Sequence, residues 1–98
     1  MIDMSGKVAI VSGGASSMGQ ITARRLARQG AKVAIFDVNE KGLHDTAAES
    51  NNITAYRCDI SSLQDVEAKV AQVAAELGPI ELLVHAAALM PSHKLIDH

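Results

Sequence analysis

Residues 7–37 read KVAIVSGGASSMGQITARRLARQGAKVAIFD, and this stretch constrains the fold more than any other part of the chain. Val8, Ala9, Ile10 and Val11 form a short continuous apolar run, the signature of a parallel strand covered on both faces. Ser12, Gly13, Gly14, Ala15, Ser16 and Ser17 follow; all are small and mostly poor helix formers, so the strand stops there. The composition turns helical from Met18 through Leu26, and Gly30 stands where a left-handed C-terminal cap is wanted. Residues 32–37 read as a second strand. A small-residue turn between strand and helix aims free backbone N–H groups and the positive helix end at one place. That place suits a phosphate or a diphosphate.

Asp37 extends this reading. It lies about 20 residues beyond the turn, where a dinucleotide-binding fold puts the acid that accepts hydrogen bonds from the adenosine ribose. A 2′-phosphate there meets like charge, which favours NAD over NADP. The positions from which a basic residue would relieve that repulsion hold Ser16 and Val38. The expected cofactor is NAD.

The rest of the chain repeats the alternation. Residues 1–6 are a lead-in with a turn at Ser5-Gly6. The first helix is expected to turn Met18, Ile21, Ala23, Leu26 and Ala27 toward a sheet, and Arg24, Arg25 and Arg28 toward solvent. Asn39 is an N-cap for a second helix reaching about residue 50, with a thin apolar stripe of Leu43, Ala47 and Ala48. Residues 53–58 read as a third strand ending at Asp59. Ser62, with Asp65 three residues on, has the form of a capping box for a third helix. In that helix Leu63, Val66, Val70, Val73 and Leu77 recur at helical steps, and Gly78-Pro79 stops it. Residues 80–85 read as a fourth strand running into Ala86-Ala87-Ala88. The order βαβαβαβ with short links predicts an α/β, Rossmann-type open parallel sheet with right-handed crossovers and strand order 3-2-1-4. Ligands of such sheets sit at the switch point between strands one and four, above the glycine turn.

Composition excludes several other classes. The 98 residues allow one domain at most, and a hydrophobic share of 48% suffices for an aliphatic core. Phe36 and Tyr56 are the only aromatics, too few for the stacking platforms that bind single-stranded nucleic acid. A net charge of −2 lacks the basic footprint of a nucleic-acid or anionic-membrane binder. One cysteine, Cys58, excludes an internal disulfide and fits a reducing cytosol, where it reads as a small core residue. No membrane-length apolar run and no signal-peptide pattern appears, so a soluble, cytoplasmic protein is expected. His93 and His98 are too loosely placed to suggest a metal site.

With these elements in place, the residues resemble the short-chain dehydrogenases/reductases, NAD(P)-dependent oxidoreductases. That family's cofactor turn reads Thr-Gly-x-x-x-Gly-x-Gly, and the matching run here is Ser12-Gly13-Gly14-Ala15-Ser16-Ser17-Met18-Gly19. Ser17 stands at the middle glycine, and its hydroxyl is expected to donate to a phosphate oxygen. Asp37 corresponds to the NAD-selecting acid, and Asp59-Ile60 to the acidic-aliphatic pair that contacts adenine. His85-Ala86-Ala87-Ala88 falls on the Asn-Asn-Ala-Gly segment without its asparagines and glycine, with His85 standing in for an asparagine.

The resemblance implies that Gly13, Ser16, Ser17, Met18 and Gly19 cradle the pyrophosphate, that Asp37 holds the ribose and Asp59 and Ile60 the adenine, and that Ala86, Ala87 and Ala88 flank the riboses. It implies hydride transfer between nicotinamide and an alcohol/ketone pair, in a protein that is a homo-oligomer when full-length. Residues 1–98 match only the N-terminal, cofactor-binding part of the family's single Rossmann domain. The family's catalytic Asn, Ser, Tyr and Lys lie beyond the fourth strand and have no counterpart here; Tyr56 is the only tyrosine and no lysine follows it four residues later. Two other readings remain: a non-catalytic module that holds NAD, and an S-adenosylmethionine-dependent methyltransferase, whose glycine turn is usually denser than this one. The fourth strand and the valine-rich helix would leave apolar surface and an unpaired edge open. The stretch is therefore expected to belong to a longer chain or to self-associate, so that the isolated polypeptide would not be a cooperatively folded monomer.

Overall fold

A computed structural model describes residues 4–86 of the chain. The elements follow in strict alternation: β1 (Val8–Ser12), α1 (Ser17–Arg28), β2 (Lys32–Asp37), α2 (Glu40–Ala47), β3 (Ile53–Arg57), α3 (Leu63–Leu77) and β4 (Ile80–His85). The four strands form one sheet in the order β3-β2-β1-β4, and all three pairings are parallel. This is the predicted topology, and α1 and α2 pack on one face while α3 packs on the other.

β1 and β2 are buried because both of their faces are covered. Val11, Val33, Ile35 and Ile53 pack with Ala23, Ala27 and Leu43 under the first two helices. Val8, Ile10, Ala34, Phe36 and Tyr56 pack with Val73 under the third. Successive residues of β2 thus feed opposite cores, as the period of a strand requires. Phe36 and Tyr56 meet edge to face across the β2–β3 ladder, with centroids 5.9 Å apart.

The helix faces depart from the sequence reading at several positions. The sheet-facing residues of α1 are Gly19, Ala23 and Ala27, four apart, while Met18 and Ile21 are 48% and 46% exposed. At 3.6 residues per turn, Ile21 lies nearly opposite the Gly19–Ala23–Ala27 line. Side-chain size had suggested burial, but the small residues take the contact because they bring helix and sheet close. In α2 the buried pair is Leu43 and Thr46, and the helix ends at Ala47 rather than near residue 50; Ala48 is exposed.

The N-caps read at Asn39 and Ser62 are formed, and Ser16 caps α1 as well. Ser16, Asn39 and Ser62 each accept a backbone N–H from three residues on, each such cap being worth about 1 kcal/mol. Gly30 has φ +93° after α1 and Gly78 has φ +118° after α3. The return arm of the expected capping box is displaced: Asp65 Oδ2 accepts the amide of Asp59, at 2.7 Å, instead of that of Ser62. In α3, Val73 is fully buried and Val66, Val70 and Leu77 partly so, whereas Leu63 is 71% exposed. Beside it, β4 presents Leu83 at 66% exposure, and no strand among the described residues pairs with its outer edge.

Candidate cofactor site

The turn after β1 is folded back on the end of β2. The amides of Gly13 and Gly14 both donate to the Phe36 carbonyl, at 2.8 and 3.1 Å. Ser16 then closes the turn from the other side: its amide donates to the Gly13 carbonyl at 3.0 Å, and its hydroxyl donates to the same oxygen at 2.7 Å. The Ser16 hydroxyl also accepts the Gly19 amide at 3.0 Å, and its carbonyl accepts the amide of Gln20. Every polar group of Ser16 is engaged locally, so it shapes the turn and has no donor left for a ligand.

What remains is informative. The first amides of a helix have no partner within it. Those of Ser17 and Met18, at the first two positions of α1, have no acceptor among the described residues, and both residues are exposed. Two unanswered N–H groups at a positive helix end form an anion cradle.

Asp37 ends β2 beside this turn. Its Oδ2 accepts the Ala15 amide at 3.0 Å; its Oδ1 accepts the amides of Val38 and Asn39 at 2.7 and 3.1 Å. An ionised carboxylate has about four lone-pair sites. By that count Oδ1 is filled, while Oδ2 keeps room for one further donor, such as a sugar hydroxyl.

Asp37 also lines a cleft of about 210 Å³ with Gly13, Phe36, Val38, Cys58, Asp59 and Ile60. This brings together the residues that the sequence assigned to ribose and adenine. Asp59 has a local task as well: its Oδ1 accepts the amide and hydroxyl of Ser61, at 3.0 and 2.6 Å. Those bonds hold its carboxyl below the usual carboxylate range, so it is ionised at neutral pH. No lysine or arginine lines the cleft. Arg57, the ladder partner of Asp37, has its Nε paired with Glu40 at 3.2 Å.

At the switch point, the Ser12 hydroxyl bonds Nδ1 of His85, joining the ends of β1 and β4. The imidazole is hydrogen-bonded, as a stand-in for asparagine must be, but it is exposed rather than internal. Ala86 is buried, at 2% exposure, and packs in the core under α1; Ala87 and Ala88 lie outside the described residues. A larger groove, about 330 Å³, opens on the α3 side between Ile10, Phe36, Val66, Val70 and Leu83. Its walls are almost wholly apolar, and the two polar side chains that line it, Ser12 and His85, are bonded to each other.

Tyr56 is no acid/base candidate. Its hydroxyl donates to Glu76 Oε1 at 2.6 Å, and burial, then the Glu76 carboxylate, pushes its pKa well above the ordinary value near 10. Among the described residues no cluster of three metal-ligating side chains occurs, and no helix is long and apolar enough to cross a membrane.

Sequence inspection missed two residues beside the turn, Gly42 and Thr46 of α2. A Cβ at position 42 would lie 2.6 Å from that of Ala15, and the Thr46 hydroxyl donates to the Gly14 carbonyl at 3.1 Å. A signal was present, since glycine inside a helix costs about 0.5–1 kcal/mol relative to alanine and implies a close approach.

Comparison with known proteins agrees with this geometry. A family model described as short chain dehydrogenase matches residues 7–98. A 2,5-dichloro-2,5-cyclohexadiene-1,4-diol dehydrogenase of Sphingobium indicum is 43% identical over 82 residues, covering 83% of this chain and 33% of that protein. The crystal structure of an NAD⁺-bound xylitol dehydrogenase superposes with a TM-score of 0.79 at 31% identity, covering 84% of this chain and 33% of that one. A 3-ketoacyl-(acyl-carrier-protein) reductase from Brucella melitensis, complexed with NADH, superposes with a TM-score of 0.78 at 36% identity, covering 82% and 34%. The chain thus spans about a third of the length of the proteins it matches.

Proposed function

This chain belongs to the short-chain dehydrogenase family, and from that premise we propose that it is the NAD-binding part of an oxidoreductase acting on an alcohol/ketone pair. The observation that carries the proposal is the pairing of two unanswered amides, at Ser17 and Met18, with the Asp37 carboxylate, which is tied to the same turn through the Ala15 amide. The amides suit the diphosphate, Oδ2 of Asp37 suits a ribose hydroxyl, and Ile60 (40% exposed) with Asp59 offers a wall for adenine. Gly13 and Gly19 keep the backbone close enough for the diphosphate, and Ala86, Ala87 and Ala88 flank the riboses.

Two carboxylates and no free cation along the cleft disfavour a 2′-phosphate, so NAD is the expected cofactor. The nicotinamide supplies the hydride donor or acceptor; this chain's residues bind and orient it. The acid/base group belongs to the part of the family's domain that residues 1–98 do not match. We place the protein in the cytoplasm, as a homo-oligomer when full-length.

The alternative is a module that holds NAD without catalysis; a complete gene product lacking the family's tyrosine and lysine would select it. Titration with NADH, NADPH and S-adenosylmethionine, followed by fluorescence or calorimetry, tests the assignment. NADH is expected to bind at least tenfold more tightly than NADPH, since like charge placed directly opposite costs more than about 1.4 kcal/mol. Binding of S-adenosylmethionine alone would reverse the assignment.

Ser17 adds a finer expectation. Its exposed hydroxyl is placed to donate to a phosphate oxygen, so Ser17→Gly should bind NADH no more tightly than wild type. A tenfold gain would make the side chain an obstacle.

A further inference from the structure

The peptide linking Gly14 to Ala15 is held at both of its polar ends. Its N–H donates to Asp37 Oδ2 at 3.0 Å, and its carbonyl accepts the Thr46 hydroxyl at 3.1 Å. We propose that Thr46 is a positioning residue for the cofactor turn: with Asp37 it clamps this peptide, so that the open amides of Ser17 and Met18 are aimed before any nucleotide arrives. This rests on the assignment of the turn to the diphosphate.

The Thr46 hydroxyl also lies 2.9 Å from the Gly42 carbonyl, a back-bond within its own helix that threonine often makes. Three observations assign the hydroxyl a larger task. First, the Gly42 carbonyl already receives the Thr46 amide in a regular helix, whereas no other donor among the described residues reaches the Gly14 carbonyl. Second, Gly14 and Thr46 are both buried, Thr46 completely, so an unanswered carbonyl there loses its water without compensation. Third, α2 reaches the turn only because residue 42 lacks a side chain: a Cβ would meet Ala15 Cβ at 2.6 Å, and Ala15 Cα and O at 3.3 Å. A glycine is disfavoured inside a helix unless something needs the space, and the space is used to bring Thr46, one turn on, against Gly14.

The clamp links the two halves of the site. Asp37 contacts the sugar on one side and the Ala15 amide on the other, so a disturbance at Thr46 reaches both diphosphate and ribose through a single peptide plane. Helix α2, which the sequence presents as a weakly amphipathic connector, is then one wall of the cofactor site.

The test compares Thr46→Val, which keeps the shape and loses the donor, with Thr46→Ser, which keeps the donor. NADH and ADP are titrated against each protein well below its melting temperature. We expect Kd for both ligands to rise about five- to thirtyfold in Thr46→Val, the range set by an unmade buried hydrogen bond, and to stay within about threefold in Thr46→Ser. A folded Thr46→Val that binds NADH as wild type does overturns the proposal, as does Thr46→Ser failing to the same degree. Wild type binding neither NADH nor NADPH overturns the cofactor assignment, and this inference with it. Hydrogen exchange in the nucleotide-free wild type decides independently of any variant's folding. The Ala15 amide should exchange at least about tenfold more slowly than those of Ser17 and Met18, as an internally bonded amide does beside solvated ones; equal rates overturn the clamp.

Discussion

A Gly19→Ala variant is expected to bind NADH at least a hundredfold more weakly than the wild-type protein and to melt at a lower temperature. A Cβ at this position would lie 2.0 Å from the Gly13 carbonyl oxygen, 2.7 Å from its carbon and 2.9 Å from Gly14 Cα. All three are backbone atoms, so no side chain can rotate out of the way. The same Gly13 oxygen accepts two bonds from Ser16, and Ser16 in turn caps α1 through the Gly19 amide. Moving α1 away breaks the cap and withdraws the Ser17 and Met18 amides together. Ordinary overpacking costs about 1–3 kcal/mol, and rigid backbone on both sides puts this site at or above the upper end. Titration with NADH and a thermal melt read the two effects; a variant binding within about tenfold of wild type would mean that the turn is not the binding element.

Removing the Asp37 carboxylate should have the next largest effect. Asp37→Ala is expected to weaken NADH binding about thirty- to hundredfold and to reduce the preference over NADPH to within about threefold, consistent with the loss of charge-assisted hydrogen bonds worth roughly 1.5–3 kcal/mol. The carboxylate answers the amides of Ala15, Val38 and Asn39 besides the expected sugar hydroxyl. Part of the loss is therefore indirect, through a turn that has lost its tie to β2. Nicotinamide mononucleotide, which lacks the adenosine ribose, should lose less affinity than NADH in this variant. An Asp37→Ala protein that keeps its NADH preference would place the selecting charge elsewhere.

Much of this architecture is legible in the residues because the strands are uniform in character. The run Val8 to Val11 has no helical period, and Gly30, Gly78, Asn39 and Ser62 punctuate the chain where hydrogen-bond geometry demands it. The order 3-2-1-4 is that of the doubly wound pattern, in which right-handed crossovers put α1 and α2 on one face and α3 on the other. Faces were harder to read than elements. Met18 and Ile21 looked like core because they are large, yet α1 is seated on Gly19, Ala23 and Ala27. Hydropathy reports how much a residue gains from burial, not how near two backbones come, and here nearness decides.

The same distinction governs the site. Asp37 was found by position along the chain, Asp59 and Ile60 through the family resemblance, and the fold brings all three to one cleft. The engagement of Ser16 within its own turn was not visible, because one serine hydroxyl both donates to Gly13 and accepts from Gly19 only in three dimensions. Thr46 was missed for a related reason: its partner, the Gly14 carbonyl, is 32 residues away and belongs to the backbone, which a side-chain pattern does not describe.

In the proposed site, the start of α1 holds a diphosphate while Asp37 holds the neighbouring sugar. A crystal structure of the protein with NADH tests it most directly. Phosphate oxygens are expected within hydrogen-bond distance of the Ser17 and Met18 amides, and one hydroxyl of the adenosine ribose on Oδ2 of Asp37. Nucleotide bound elsewhere, or an Asp37 carboxylate turned away from the ribose, would contradict it.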